Sequence, residues 1–350
     1  MHVNRVEPKW IPLFEHIFTV VCALKAGEVV AILSESQSRR ILVEVAEMAA
    51  SRLGARIYHV MVPTPSVTTP IPPRSTGSSL AIGGLKQVID ALAGADLVLD
   101  CTIEGLLHSP ERPKILERGA RIFFLSDEHP EVYERCLPVP GLREKCDLGA
   151  QMLTAAKRMR VTSAAGTNLV VDISKTEGRG SAGYADKPGS MGYWPAGLVV
   201  CFPPAHTING TVVLAPGDAN LTFKRYLEAP VELVIEDDFV VAVRGNNLDS
   251  ALLRSHFASW KERDAYAVSH VGWGMNPGAR WDTMIMYDRG DLNGTELRAY
   301  AGNFLFSTGA NPSSGRYSAC HFDIPMGNCT VELDDKVVVR EGVLQGELVL

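Results

Sequence analysis

His321-Phe322-Asp323 sets an imidazole and a carboxylate two residues apart. In an extended chain, positions i and i+2 project to the same face, so the two side chains can converge on one divalent cation. The bland alternative is a surface histidine beside a solvated aspartate. A second histidine, His270, stands in Ser269-His270-Val271-Gly272-Trp273-Gly274-Met275-Asn276-Pro277, whose glycines let backbones approach a site. Two histidines and one carboxylate on one face of a metal leave three positions open, the arrangement of non-haem iron(II) oxygenases. A satisfied structural histidine explains His270 equally well at this level.

His108 lies in Leu106-Leu107-His108-Ser109-Pro110-Glu111, just past a strand-like run, Ala95–Cys101. Open α/β sheets carry their functional loops at that edge, where a neutral imidazole can act as a general base near pH 7. Ser109-Pro110-Glu111-Arg112 also reads as an N-cap followed by Pro at N1, which would make His108 a helix-entry residue. Trp194 and Trp273 sit in Gly/Pro-rich segments and suit either a pocket wall for a flat ligand or core filling. Arg298 and Ser307 flank Gly302–Phe306 and could hold a polar or anionic substituent. The stretch Ser307–Gly315 reads as a glycine- and serine-rich loop leading to His321.

The elements that must position these residues fall into two textures. Glu28–Leu33, Arg56–Val62, Ala95–Cys101 and Ala120–Leu125 read as strands, and Ser36–Leu53 and Leu85–Leu92 as helices. That alternation predicts an N-terminal doubly wound parallel-sheet domain, Rossmann-like, over residues 1–155. Pro63–Ser79 reads as a loop. Residues 156–350 read as a C-terminal α+β, largely antiparallel, metal-binding catalytic domain. Its strands are Arg160–Ser163, Leu169–Ile173, Leu198–Phe202, Thr211–Leu214, Val231–Ile235, Cys329–Val339 and Val343–Leu350, with one helix, Leu248–Trp260.

Composition bounds the rest. The chain has 350 residues, 46% hydrophobic and 21% charged, enough to bury real cores. A net charge of −6 without a basic run argues against a nucleic-acid partner. The seven cysteines are scattered and form no CxxC pair, which suits a reducing, cytoplasmic setting. No stretch approaches a membrane span, and the N-terminus lacks a signal-peptide layout. Leu33-Ser34-Glu35-Ser36 replaces a GxGxxG after the first strand, so a dinucleotide is not expected, and Walker A, HExxH and GxSxG motifs are absent.

Arg160–Ser163 with Gly166–Leu169, Gly183-Tyr184-Ala185-Asp186, Trp194–Gly197, His270–Pro277, Gly302–Gly309 and Cys320–Pro325 together resemble the aminopeptidase T-like metalloprotein superfamily. Within it the chain is most similar to the NicX-type 2,5-dihydroxypyridine 5,6-dioxygenase family. The resemblance covers nearly the whole chain. It implies Fe(2+) on His270, His321 and Asp323, with His108 as the base. It implies substrate contacts at Leu107, Ser181, Tyr184, Tyr193, Trp194, Trp273, Arg298 and Ser307. The partners implied are O2 and a small hydroxylated N-heteroaromatic ring, opened to N-formylmaleamate, in a homo-oligomer.

Departures from the peptidase pattern carry chemistry of their own. The peptidases follow Pro-Ala-Gly with a metal-binding Glu, where this chain has Leu198, and carry a second such Glu where this chain has His270. Losing one carboxylate and turning another into imidazole removes a two-metal hydrolytic site. A metallopeptidase or amidohydrolase with altered ligands is therefore the second reading, and a non-catalytic binding protein the third. The dioxygenase pattern has an acidic residue near Ser181 and a His at Tyr193, so the ring's substituents are expected to differ from those of 2,5-dihydroxypyridine, as in a related hydroxylated N-heterocycle or an aminophenol.

Overall fold

The structure is a computed structural model and describes residues 5–66 and 78–350; the greater part of the Pro63–Ser79 segment lies outside them. A parallel five-stranded sheet has the order Arg56–Val62, Val29–Glu35, Leu97–Asp100, Arg121–Leu125, Met191–Trp194. Val30 to Glu35, Leu97–Asp100 and Arg121–Leu125 are buried throughout, as strands covered on both faces must be. The fifth strand comes from beyond residue 155. The helix after the first strand starts at Arg40 instead of Ser36, because the Glu35 N–H donates to Ser38 Oγ and spends Ser36–Ser38 on a turn. Its Ile41, Leu42, Val45, Ala46 and Ala49 form the stripe that packs into the main core.

The remaining strands build two antiparallel sheets. One has eight strands, including Ile208–Leu214, Asn168–Asp172, Arg158–Ser163 and Cys329–Leu333. It shows clean alternation: Met159 and Val161 are buried while Arg158 and Arg160 are exposed. Helix Leu248–Trp260 is set by a capping box between Asn247 and Ser250 and stops at Lys261, whose φ is +55°. The other sheet has the order Arg316–Met326, Phe304–Asn311, Val268–Gly274, Leu198–Cys201, Gly178–Ser181.

Two expectations need correcting. Ser307 to Asn311 continue a strand that pairs with Arg316–Met326, so the expected loop before His321 shrinks to a turn at Pro312–Gly315. Alternation there is hidden because both faces are covered: Phe304 to Gly309 are all buried. The final strand is only Val343–Leu344, after which Gly346–Leu348 turn into a 3₁₀ helix.

Asp100, at the carboxyl end of its parallel strand, organises the loop that follows. Its carboxylate accepts from the Thr102 N–H (3.0 Å), the Thr102 hydroxyl (2.7 Å) and the Leu106 N–H (2.7 Å). Glu35, on the neighbouring strand, accepts from the Ile103 N–H at 2.7 Å. These bonds fix Cys101–Leu106 and hence the position of His108. Replacing Asp100 by Ala orphans buried donors, each costing about 1–3 kcal/mol. We expect Asp100→Ala to lose about 3 kcal/mol in urea unfolding and to lower turnover as the loop loosens.

Candidate metal centre

Strand parity assembles the site. Across the five-stranded antiparallel sheet, Ser307 pairs with Asp323, Gly309 with His321, Gly272 with Leu305 and with Val200, and Val200 with Arg179. Paired residues share a face, and so do residues two apart on one strand. One face therefore carries His321 and Asp323, Ser307, His270 and Gly272, then Leu198 and Val200, and finally Arg179 and Ser181. The opposite face carries Trp273, Val199, Phe304, Phe306 and Phe322, all within the main core.

On the first face the ligand-type atoms of His270, His321 and Asp323 all lie within 4.8 Å of one another. Asp323 Oδ1 is 3.2 Å from His270 Nε2 and 3.5 Å from His321 Nε2. These contacts lack hydrogen-bond geometry, so Oδ1 is buried without a donor. The hydroxyl of Ser307, directly across the strand pair, is also buried without a partner, as is His270 Nδ1. Buried polar atoms normally find partners. The orphaned carboxylate oxygen, with the orphaned hydroxyl paired across from it, marks a place built for a bound group, and two imidazoles with one carboxylate fit a divalent transition metal.

The other carboxylate oxygen, Oδ2, is 2.5 Å from Arg298 Nε. Burial works against an ionised Asp323, but the His321 ring and the Arg298 guanidinium outweigh it and hold the acid well below the usual range. Burial pushes the His270 imidazole down. Anionic aspartate and neutral histidine are the forms that bind a metal.

His108 enters from the parallel-sheet side, its ring centroid 5.4 Å from that of His321. It is accessible from a cleft of about 370 Å³ yet enclosed by protein on its other sides. That enclosure, with the neighbouring His321 and Arg112, drives its pKa down, so the ring is neutral at pH 7. The Arg112 guanidinium donates to the Leu107 carbonyl and so fixes the loop next to His108. Phe202 lies edge-on to His270, centroids 5.2 Å apart, and also lines the cleft.

The structure thus brings together His108, His270, Arg298, Ser307, His321 and Asp323. Tyr193 is half-buried, with Ser181, Arg298 and Asp323 within electrostatic reach; burial pushes its phenol up to about 12. Leu107 sits in the His108 loop. Tyr184 stacks under Arg143, 3.9 Å from the ring centroid, and that guanidinium forks onto Asp186. Trp194 and Trp273 are each 0% exposed and so touch no solvent-accessible cleft; their N–H groups go to the Cys136 carbonyl and Met275 Sδ. Core filling describes both. Sequence reasoning missed Phe202 and Arg112. Continuing the alternation Leu198, Val200, Phe202 would have found the first, whereas nothing local signals the second.

Leu198 lies on the metal face, where its isobutyl group offers no ligand. Among the described residues, His270, His321 and Asp323 are the one group of three or more such side chains close enough to hold an ion. No helix among them is long and apolar enough to cross a membrane.

Comparison with known proteins gives the family. The family model for 2,5-dihydroxypyridine 5,6-dioxygenase matches residues 9–346. The 2,5-dihydroxypyridine 5,6-dioxygenase of Pseudomonas putida is 36% identical over 334 residues, 94% of each chain. The solved structure of 2,5-dihydroxypyridine dioxygenase from Pseudomonas putida KT2440 superposes with a TM-score of 0.89 at 35% identity, covering 97% of both chains. Wild-type AmpT from Thermus thermophilus shares the fold, with a TM-score of 0.66 at 14% identity over 96% of this chain and 98% of its own. The chain therefore belongs to the 2,5-dihydroxypyridine 5,6-dioxygenase family and is a ring-cleaving dioxygenase.

Proposed function

We propose that the protein holds Fe(2+) through His270, His321 and Asp323 and opens 2,5-dihydroxypyridine or a closely related ring between carbons 5 and 6. Both atoms of O2 enter the product, which from 2,5-dihydroxypyridine is N-formylmaleamate. The observation that carries the reading is the orphaned Asp323 Oδ1 near two imidazole nitrogens, one of them on His321, which lines the cleft. When bound, Fe(2+) supplies the redox chemistry that ground-state O2 needs to react with a closed-shell ring.

The chain's own residues do the rest. His108, neutral and reachable from the cleft, accepts a hydroxyl proton from the ring and leaves it electron-rich. Arg298 holds Asp323 in place through Oδ2 and keeps it ionised. Ser307 offers its hydroxyl to a substrate oxygen, satisfying an otherwise unpaired buried donor. Tyr193 and Ser181 bound the far side of the ring site and restrict its substituents. Leu107 packs against the ring beside His108. We also infer self-association, supported by exposed Trp281 and Ile285 at 51% and 73%, and a reducing compartment, supported by seven buried, unpaired cysteines.

The test is anaerobic loading with Fe(2+), then O2 uptake on adding 2,5-dihydroxypyridine while following its ultraviolet band. We expect equimolar O2 uptake with loss of the aromatic band, and none after chelation and loading with Zn(2+). Turnover by the zinc form would overturn the metal assignment.

A further inference from the structure

Two guanidinium groups beside the cleft touch no reacting atom in the reaction described above: Arg112, which lines it, and Arg179, which lies over Phe202. Arg179 is on the edge strand Gly178–Ser181, on the same sheet face as the metal centre, and its side chain is exposed. Two strand spacings, about 10 Å, separate its strand from that of His270. It reaches back over the Phe202 ring, Cζ lying 5.2 Å from the ring centroid, and Phe202 in turn abuts His270. Arg112 lines the cleft together with Phe202, half-buried and anchored by the Leu107 carbonyl. Burial and, after it, the Arg179 charge lower the Arg112 pKa, so the two cations act on each other unfavourably.

Among the described residues neither Arg112 nor Arg179 has a carboxylate within ion-pair distance. Other charges around the opening are engaged. Arg316 is 2.5 Å from Asp238, and Glu262 accepts from the Ser318 hydroxyl. Like charges brought together without a counter-ion are costly, and the cost is recovered when an anion enters between them. An aromatic ring beneath one of them adds a flat surface on which a heteroaromatic ring can stack.

We propose that Arg179 and Arg112 form an anion-recognising wall of the cleft, which takes an anionic oxygen group on the substrate ring and favours charged rings over neutral ones. The inference rests on the proposed function for the kind of ring, while the anion site stands on its own geometry. The anion has two chemical sources: a ring carboxylate or an ionised ring hydroxyl. Arg179 is the residue to vary, since Arg112 also holds the His108 loop.

Binding is measured by calorimetry without O2 on wild type, Arg179→Gln and Arg179→Glu, at low and high salt. The probes are 6-hydroxypyridine-3-carboxylate, neutral 2-hydroxypyridine, and 2,5-dihydroxypyridine across the ionisation of its hydroxyl. We expect the carboxylated ring to bind about tenfold tighter than the neutral one, with that advantage lost in Arg179→Glu and reduced by salt. A hydroxyl source shows instead as wild-type affinity for 2,5-dihydroxypyridine that rises with pH and stays flat in Arg179→Gln. Equal binding of charged and neutral rings in all three proteins, with no pH or salt dependence, overturns the proposal. Arg179-dependent anion binding in a protein that takes up no O2 with 2,5-dihydroxypyridine would sink the substrate assignment and leave the anion site intact.

Discussion

We expect Asp323→Ala to lose the proposed iron and the ring-opening activity together. The carboxylate is the one anionic donor of the centre, and its Oδ1 sits between His270 Nε2 and His321 Nε2. Losing a partner that merely orients a ligand costs about 10–100-fold in metal affinity, so loss of the donor itself costs more than that. Elemental analysis of dialysed protein reads this directly, from stoichiometric iron in the wild type to a trace in the variant. The substitution also strips Arg298 of its partner at 2.5 Å, and breaking a buried ion pair costs about 3–5 kcal/mol. Urea unfolding therefore has to accompany the metal assay. Asp323→Asn keeps the shape and removes only the charge, and it should lose iron at a smaller cost in stability. A folded Asp323→Asn protein with full iron and normal turnover would remove Asp323 from the centre.

How much of this was legible in the sequence depends on parity. His321 and Asp323 share a face because they are two apart, and this needed no structure. His270 lies about fifty residues earlier, and its convergence with them depends on the pairing of Ser307 with Asp323 and of Gly272 with Leu305. Register of that kind is set by partners far along the chain. The strand holding His270 is buried on both faces and broken up by glycines, so it shows neither alternation nor an apolar run. Had it been read as a strand, Trp273 would have fallen at once on the face opposite His270. Gly272 also has a steric duty that composition does not reveal: a Cβ there would lie 2.0 Å from the Val199 carbonyl oxygen. The parallel strands behaved differently because Val29–Glu35 and Arg121–Leu125 are continuous apolar runs between turns. Met191–Trp194, four residues with a glycine, carried no such signal.

His108→Ala should leave the metal in place and take away the proton acceptor. The residue lies on a loop held by Asp100 and Glu35, its ring centroid 5.4 Å from that of His321. General base catalysis is worth about 10²–10⁴-fold, so kcat falls by that order while bound iron stays stoichiometric. Substrate affinity changes little if the imidazole acts mainly in the proton transfer, which separates this variant from Asp323→Ala, where iron and rate vanish together. The pH profile gives an independent reading. Enclosure and the adjacent His321 and Arg112 depress the His108 pKa, so its neutral, proton-accepting form persists to pH values below the ordinary imidazole range. A bound dication would depress it further by the same Coulombic sign. Wild-type kcat/KM should therefore show no inflection near pH 6.5 while iron remains bound. A wild-type acid limb centred there and missing from His108→Ala would show that His108 titrates as an open, solvated histidine. Unchanged kcat in the variant would move the base elsewhere.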